Sequence, residues 1–339
     1  MPPFSQPVHD VVDASGTASA VDSLARAPML AVDLEADSMH AFRARLCFLQ
    51  AGTDEDIYLL DTLSPGVAAS ALGALFADPA RTKVFHAAQG DLQFLAEAGV
   101  RVRGLFDTHR AATLLGWPKV GLGDLVSEKL GVTLAKEHQQ ADFSVRPLPP
   151  ALRTYIADDV RYLTELGRVV RAAVDAADIA EEVALDCERL TDEAADVPMG
   201  RMLSNAAIQE LVSRPVRDKK ALARTQGVRG QVVREHGDEV LELLASLRAA
   251  ADRGELPPPE APARDSGRRR REDALKAFRS EKAAERKVTP SVVLPNPLVD
   301  ELAATPPADV EALARVPYFG EKRVGLYGAD LVALLRSRD

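Results

Sequence analysis

The sequence predicts an α/β domain followed by two small all-α domains. Three β-favouring segments lie close together between residues 28 and 62, and strand-like and helix-like patterns then alternate to about residue 185. The rest of the chain contains one helical pattern twice. A chain of 339 residues also exceeds the usual size of a single domain, which agrees with this multidomain organisation.

The first domain is predicted to begin its sheet with an antiparallel meander. Its three strands are an apolar segment that runs from Met29 through "AVDLEAD", then "RARLCFLQ", then "DIYLLDT". All three are rich in residues that favour strands. Short polar links separate them, and links of this length join antiparallel neighbours.

Alternating helices and strands follow the meander. "VAASALGALFAD" has a helical composition, "TKVFHAA" is typical of a short strand, and "GDLQFLAEAG" predicts a helix that ends at Gly99. "GLFDTHRAATLLGW" predicts a strand and a helix, and "GLGDLVSEKLG" predicts a helix that ends at Gly131. Residues 135–150 form a polar, Pro-rich loop. One long helix is predicted over 151–190, because this segment has strong helical propensity and no interior proline.

The helical pattern of the C-terminal part repeats at a separation of 91 residues. Without a gap, the segment from Leu203 aligns with the segment from Leu294, and Ala221–Arg224 aligns with Ala312–Arg315. The segment between the copies is rich in Pro, Gly and charged residues, which is typical of a flexible linker. The predicted domains are residues 1–185, 190–252 and 272–339, with the linker at 253–271.

Composition and charge exclude some classes of protein. Apolar residues make up 46% of the chain, but no apolar run is long enough to cross a bilayer, so no membrane insertion is expected. Cys47 and Cys187 are too few for a disulfide framework or a thiolate metal site, which favours a cytoplasmic location. The net charge is −9, yet seven Lys or Arg residues and one acid lie between Arg214 and Arg234. The net charge is therefore a poor guide to nucleic-acid binding, which depends on where the cations lie.

Two carboxylates lie in the first predicted strand. Asp33 and Glu35 are two residues apart and therefore point to the same face of the strand. Asp91 and Asp159 lie in predicted helices that could meet this pair, and Tyr155 shares a helix face with Asp159. Four carboxylates without a matching cluster of Lys or Arg are typical of a site for Mg²⁺ or Mn²⁺. Two such ions about 3.5–4 Å apart would stabilise the attacking and leaving oxygens in phosphodiester hydrolysis.

These segments resemble the motifs of the DEDD family of exonucleases. "VDLEAD" is similar to the first motif, "FHAAQGDLQFL" to the second, and "YIADDVRYL" to the third in its tyrosine-containing form. "LFDTHRAATLLG" and "KEHQQADFSVRPL" resemble the ribonuclease D branch, and the C-terminal repeats are similar to the HRDC domain. The sequence differs from the branch at Ala141 and Phe143, where serine and tryptophan are common.

The resemblance implies an RNase H-like fold, a mixed sheet flanked by helices, in an enzyme that removes 5′-monophosphates from RNA 3′ ends, such as those of tRNA precursors. Asp33, Glu35, Asp91 and Asp159 would hold two Mg²⁺ or Mn²⁺ ions, and Tyr155 would orient the attacking water. No protein partner is expected. The alternatives are a 3′–5′ DNA exonuclease and a catalytically inert nucleic-acid-binding protein, and the four filled acidic positions disfavour the second.

The basic run of the first repeat is the predicted RNA contact. Its candidate residues are Lys219, Lys220, Arg224, Arg229 and Arg234. The matched segment of the second repeat carries fewer cations and more acids, so the first repeat is expected to bind RNA more strongly. The alternative for this run is a solvated helix face without a ligand. "ERLTDEAADVPMGRM" also lacks the aromatic and basic residues that "ALKAFRSEKAAERK" gives the leading helix of the second repeat.

Several residues near the motifs have other interpretations. Asp158 could replace Asp159 if the helix were rotated, although the spacing from Tyr155 favours Asp159. Asp37 is expected to be a solvated strand end. His86 is expected to be packed and hydrogen-bonded without taking part in chemistry.

Overall fold

A six-stranded mixed sheet forms the centre of the N-terminal part of the protein in its computed structural model. The structure describes residues 4–37, 44–134, 141–195, 205–255 apart from 215, 226, 227 and 229, and 266–337. The strands are β1 (Val8–Val11), β2 (Met29–Ala36), β3 (Leu46–Gly52), β4 (Ile57–Asp61), β5 (Thr82–Phe85) and β6 (Leu105–Asp107). Their order across the sheet is β1-β4-β3-β2-β5-β6.

Helices cover this sheet. They are α1 (Ala14–Leu24), α2 (Gly73–Ala77, after a 3-10 turn at Ala69–Leu72), α3 (Gln89–Glu97), α4 (Thr108–Leu114), α5 (Leu122–Leu130), α6 (Pro150–Arg161), α7 (Leu163–Ala176) and α8 (Ala180–Ala195). α6 packs against β2, β3 and β4, α7 packs against β2 and β5, and α8 packs against β6. No helix in the described ranges is both long enough and apolar enough to cross a bilayer.

The predicted antiparallel meander is confirmed. Asp33 pairs with Gln50 between β2 and β3, and Gln50 pairs with Leu59 between β3 and β4. β5 and β6 extend the sheet beyond β2 as parallel strands, and β1 pairs in parallel with β4 at the opposite edge. The sheet is therefore mixed and flanked by helices, as the predicted fold class requires.

The sequence patterns did not predict β1 and α1. β1 is a four-residue edge strand in which His9 and Asp10 are exposed, so it lacks the apolar alternation that indicates a strand. Asp13 marks the start of α1, because its carboxylate accepts a hydrogen bond from the Gly16 backbone N–H at 2.7 Å.

The prediction of one long helix over 151–190 is wrong, because this segment contains α6, α7 and most of α8. The helical conformation is interrupted at Tyr162, between α6 and α7, and again before α8, where Asp178 has a φ of 52°. α7 lies close to the sheet: a Cβ on Gly167 would come within 3.0 Å of the Val84 side chain of β5. Helical propensity is high along the whole segment, so the packing of each helix decides where the breaks occur.

The C-terminal repeat is confirmed at the level of helices. The first repeat contains α9 (Asn205–Ser213), α10 (Lys219–Ala223) and α11 (Gly230–Asp252). The second contains α12 (Ser266–Arg286), α13 (Pro290–Val293), α14 (Asn296–Ala304), α15 (Val310–Ala314) and α16 (Glu321–Arg336). Asp218 and Asp309 occupy equivalent N-cap positions of α10 and α15, where each accepts a backbone N–H at 2.7 and 2.8 Å. The same cap, and the equal lengths of α9 and α14 and of α10 and α15, indicate that one helical pattern is used twice.

The described chain divides into two compact units. The first contains residues 1–195 and 266–339, and the second contains residues 196–265. Within the first unit the second repeat shares the core of the α/β domain, because Val292 of α13 is fully buried in that apolar cluster. α12 begins at Ser266, so Arg268–Arg271 are helical. The domain boundaries at 185, 190, 252 and 271 stay a prediction.

Ion pairs also join the second repeat to the α/β domain inside the first unit. Arg286 of α12 lies 3.2 Å from Glu182 of α8, a carboxylate whose side chain is only 1% exposed. Lys322 of α16 lies 2.8 Å from Asp178, just before α8. Lys322 also lies 3.6 Å from Glu182. A buried carboxylate needs such partners, so Arg286 and Lys322 have a structural role in the contact between the two domains.

Candidate active site

Three carboxylates from two elements form an acidic cluster. Asp33 and Glu35 lie on the same face of β2, and Asp159 of α6 packs across that face. Each offers one carboxylate oxygen, and these oxygens all lie within 4.8 Å of one another. A bulge in the β2–β3 pairing directly after Glu35 breaks the strand register at the site. We use the name acidic cluster for these three residues.

Asp91 and Tyr155 border the acidic cluster. Asp91 lies in the first turn of α3, outside the group of three, and its charge raises the pKa values of Asp33 and Glu35. Tyr155 lies one turn before Asp159 on α6, and the two side chains are hydrogen-bonded. The structure therefore brings all five sequence-predicted site residues of this domain to one place.

The carboxylates of the site resist ionisation. Burial, and then repulsion from Asp91, raises the pKa of Asp33 well above its usual range. Burial and the neighbouring acids raise the pKa of Glu35 to about 9 and that of Asp159 to about 8. Burial followed by the charge of Asp107 raises the pKa of Asp91 to about 8. A bound cation would stabilise the ionised form of these acids, so their raised pKa values indicate a site that favours cation binding.

A pocket of about 350 Å³ opens onto the acidic cluster. Its lining also includes His86, Tyr155, Leu134 and residues 121–124 at the start of α5. None of these described lining residues is Lys or Arg. Among the described lining residues the donors are thus carboxylate oxygens with no Lys or Arg beside them, which fits a hard divalent ion such as Mg²⁺ or Mn²⁺.

Asp107 is a supporting residue that the sequence analysis missed. Its buried carboxylate accepts backbone N–H bonds from Ala87 at 3.0 Å and Ala88 at 2.9 Å, directly before α3. It also caps α4 through the N–H groups of His109 and Arg110. Ala87 has a φ of 60°, a conformation that costs energy in a residue with a Cβ. Asp107 therefore stabilises the turn that positions Asp91. The sequence signal that could have indicated Asp107 is an Asp directly before a helix, which is typical of an N-cap.

Phe143 packs against the predicted water-orienting tyrosine. Its ring is 2% exposed and stacks on Tyr155, with 6.2 Å between ring centroids. Arg146, three residues later, anchors the same loop by a paired contact with Asp61 at 2.6 and 2.7 Å. Phe143 stands at a position where tryptophan is common in the ribonuclease D branch, and its ring still packs against that of Tyr155.

The structure shows the surroundings of Asp158 and Asp37, two acids that lie near the motifs. Asp158 points away from the acidic cluster and forms an ion pair with Arg161 at 2.7 Å. The expectation that Asp37 is a solvated strand end is wrong, since Asp37 is 1% exposed. Its carboxylate accepts the Arg45 backbone N–H at 2.6 Å and the Arg45 Nε–H at 2.9 Å, so it closes the link between β2 and β3.

The predicted RNA contacts lie in the second unit. Lys219, Lys220 and Arg224 are exposed, and Lys219 forms an ion pair with Asp238 at 2.7 Å. Arg229 lies outside the described residues, and so does the side chain of Arg234. The exposed positions of Lys219, Lys220 and Arg224 leave these three cations accessible to a ligand, and the role of all five residues stays a prediction.

Comparison with protein families finds two kinds of domain in the chain. The family described as 3′-5′ exonuclease matches residues 8–175. The family described as HRDC domain matches residues 187–244 and again residues 268–335. The two kinds of domain therefore follow each other in the order that the sequence motifs predict.

Two curated relatives match the chain over 90% or more of its length. Ribonuclease D of Acidiphilium cryptum is 29% identical, over 99% of this chain and 97% of the relative. Ribonuclease D of Gluconacetobacter diazotrophicus is also 29% identical, over 90% of this chain and 89% of the relative. The crystal structure of Escherichia coli RNase D aligns with a TM-score of 0.77 at 22% identity, over 97% of this chain and 99% of that chain. This last similarity establishes the fold of the chain from end to end.

Proposed function

Because the chain belongs to the ribonuclease D family of 3′–5′ exoribonucleases with tandem HRDC domains, we propose that Asp33, Glu35, Asp91 and Asp159 form a two-metal hydrolytic site. One observation carries this proposal: carboxylates with raised pKa values line a pocket whose described lining contains no Lys or Arg. When bound, two divalent ions would stabilise the attacking and leaving oxygens of the phosphodiester. We propose Mg²⁺ or Mn²⁺ for this site.

Tyr155 is proposed to orient the attacking water. Its phenol is hydrogen-bonded to Asp159, and burial followed by the charge of Asp159 raises its pKa, so it stays protonated at neutral pH. A protonated phenol can donate to the water or accept from it without becoming a base. Phe143 limits the movement of the ring by stacking on it.

The first repeat is proposed to hold RNA. The cations in the matched segment of the second repeat have other partners: Arg315 pairs with Glu311, Lys322 pairs with Asp178, and Arg323 donates to the carbonyl oxygens of Val292 and Phe319. Arg323 is only 3% exposed. Lys220 and Arg224 of the first repeat are exposed and have no ion pair among the described residues. This contrast favours Lys219, Lys220, Arg224, Arg229 and Arg234 as phosphate contacts.

We propose structured RNA 3′ ends, such as those of tRNA precursors, as the substrate, and the cytoplasm as the location. Cys47 and Cys187 are buried and unpaired, which suits a reducing compartment.

Digestion of end-labelled nucleic acid tests the proposed function. RNA and DNA of the same sequence, labelled at the 5′ end, are incubated with the full chain and Mg²⁺ or Mn²⁺, with and without a chelator. We expect RNA to shorten stepwise from its 3′ end, to release 5′-monophosphates, and to be stable when the metal is removed. Shortening from the 5′ end, or cleavage that the chelator leaves unchanged, would contradict the proposal. Faster cleavage of DNA than of RNA would favour the DNA exonuclease.

A further inference from the structure

His86 is fixed in one tautomer by its neighbours. Thr108 Oγ1 donates a hydrogen bond to the carbonyl oxygen of Phe85 at 3.0 Å, and His86 Nδ1 lies 2.9 Å from the same Oγ1. A hydroxyl has a single proton, and the carbonyl oxygen can only accept. Thr108 Oγ1 must therefore accept a hydrogen bond from His86 Nδ1–H, which places the imidazole hydrogen on Nδ1 and leaves Nε2 as an acceptor.

The ring is neutral at the pH at which most enzymes work. Burial lowers the pKa of His86 to about 4, and the adjacent His109, whose ring centroid lies 5.6 Å away, acts in the same direction. The nearby carboxylate of Asp107 opposes this effect without reversing it. His86 Nε2 therefore keeps its lone pair and presents a hydrogen-bond acceptor.

The imidazole lines the pocket that contains the acidic cluster. Within the described residues, His86 Nε2 has no hydrogen-bond partner, while Nδ1 is used by Thr108. A partly buried acceptor is costly to leave unpaired, so a ligand in this pocket that brings a donor to Nε2 is favoured.

We propose that His86 Nε2 accepts a hydrogen bond from the 2′-hydroxyl of the 3′-terminal nucleotide, and that this contact selects ribose over deoxyribose. The inference rests on the proposed function. In removal of a 3′-terminal nucleotide, the bond that breaks joins its 5′ phosphate to the preceding sugar. A pocket that holds this phosphate at the acidic cluster also holds the sugar of the same nucleotide, and His86 lies in the wall of that pocket. DNA has no 2′-hydroxyl to donate.

Three RNA substrates that differ only in the terminal 2′ substituent test this contact with the wild-type chain. They carry 2′-hydroxyl, 2′-hydrogen or 2′-fluorine at the last nucleotide. We expect kcat/KM to be about 5- to 100-fold higher for the hydroxyl than for either of the others, the range for leaving one buried partner unsatisfied. Fluorine has no proton to donate, so it should behave like hydrogen. Equal rates on all three substrates would overturn the inference and leave the proposed function intact.

His86→Leu removes the acceptor and tests the residue itself. We expect the ratio of hydroxyl to hydrogen substrates to fall to about 1, because the hydroxyl substrate loses its advantage. Thr108→Val should reduce the ratio as well, since it frees the tautomer. Thr113→Val is the matched control on the same helix, because its hydroxyl bonds only the His109 carbonyl oxygen at 2.8 Å and lies outside the pocket lining.

The outcomes separate the two proposals. An unchanged ratio in His86→Leu, or an equal loss on both substrates, would overturn the role of His86 in sugar selection. If His86→Leu fails to fold, the ratio of hydroxyl to hydrogen substrates in Thr108→Val tests the residue in its place, and an unchanged ratio there would overturn the role of His86. A wild-type chain that does not cleave RNA at all with either metal would overturn the proposed function, and with it this inference.

Discussion

Asp33 lies on a strand that is otherwise apolar, and its pKa is raised by burial and by the charge of Asp91. This placement costs stability at neutral pH in the absence of a cation, because the buried acids must either take up protons or repel each other. The sequence alone identified this residue, since Asp33 and Glu35 must share a strand face whatever the fold around them. The sequence could indicate Asp107 only as the cap of α4, because the N–H groups of Ala87 and Ala88 reach its carboxylate only in the folded chain.

Asp33→Asn is expected to abolish cleavage while the metal-free protein keeps or gains thermal stability. The substitution removes one anionic oxygen ligand at nearly constant volume and relieves repulsion. Activity and the melting temperature in a chelator are the two measurements. Asp158→Asn is a control, because Asp158 pairs with Arg161 away from the acidic cluster, and it should cleave RNA at close to the wild-type rate. Loss of folding in Asp33→Asn would contradict a metal-binding role.

The pH dependence of stability should show the raised pKa values. Each of these acids has a pKa near 4 in the unfolded chain and about 8 or 9 in the folded chain. At pH values between the two, the native state therefore binds more protons than the unfolded state. The free energy of unfolding should therefore fall as the pH rises from about 4 to about 9 in a chelator. Saturating Mg²⁺ should flatten this fall, because the cation stabilises the ionised form. A difference in melting temperature between wild type and Asp33→Asn that does not change with pH would refute this reading.

Tyr155→Phe should lower kcat by about 10- to 1000-fold with RNA affinity nearly unchanged, the range for loss of one positioning group. The phenol is the only part removed, and the stacking of Phe143 on the ring remains. Single-turnover cleavage and binding to RNA in the presence of a chelator separate the two effects. Unchanged turnover would make Tyr155 a packing residue of α6.

At the scale of elements, the sequence predicted the meander and the alternation after it, because apolar periodicity and terminal glycines are local signals. The prediction from sequence failed for segments in which tertiary packing overrides helix or strand propensity. The segment from 151 to 190 is helical throughout in its composition, but α6 packs against β2, β3 and β4 while α7 packs against β2 and β5, with Gly167 close to Val84. β1 was missed because two of its four residues are exposed.

The turn before α3 depends on one carboxylate, so Asp107→Asn should destabilise the protein by about 2–4 kcal/mol. An amide can direct only one oxygen at the N–H groups of Ala87, Ala88, His109 and Arg110, and its own N–H₂ would face donors. Chemical denaturation measures the change. Asp78→Asn is the control, since Asp78 is an exposed acid that accepts the Ala80 N–H at 2.9 Å. Equal stability of the two variants would show that Asp107 does not hold this turn.

At the scale of the whole molecule, two copies of one helical fold have different surroundings. The second repeat shares the α/β core through Val292, and Lys322 and Arg286 pair with acids next to or within α8. The sequence showed the repeat and its difference in charge. It could not show that the cations of the second repeat have structural partners, because those partners lie more than 100 residues away in the chain.

Arg224→Glu should weaken binding to long RNA, whereas Arg315→Glu at the equivalent position of the second repeat should not. Arg224 is exposed, while Arg315 pairs with Glu311 on its own helix turn. Each lost phosphate contact should reduce the slope of log affinity against log salt by about 0.7. Adding Lys219→Glu and Lys220→Glu should enlarge the effect, and cleavage of a very short RNA should stay near wild type. If both single variants bind with the same affinity and salt slope, the basic run of the first repeat is a solvated face.

Anomalous diffraction from crystals of the full chain soaked in Mn²⁺ tests the central claim most directly, since it locates metal without reference to activity. The account predicts two peaks about 3.5–4 Å apart, each about 2.0–2.5 Å from carboxylate oxygens of Asp33, Glu35, Asp91 or Asp159. Asp33→Asn crystals treated in the same way should lose at least one peak. Strong Mn²⁺ peaks elsewhere in the molecule, with none at these four carboxylates, would contradict the account.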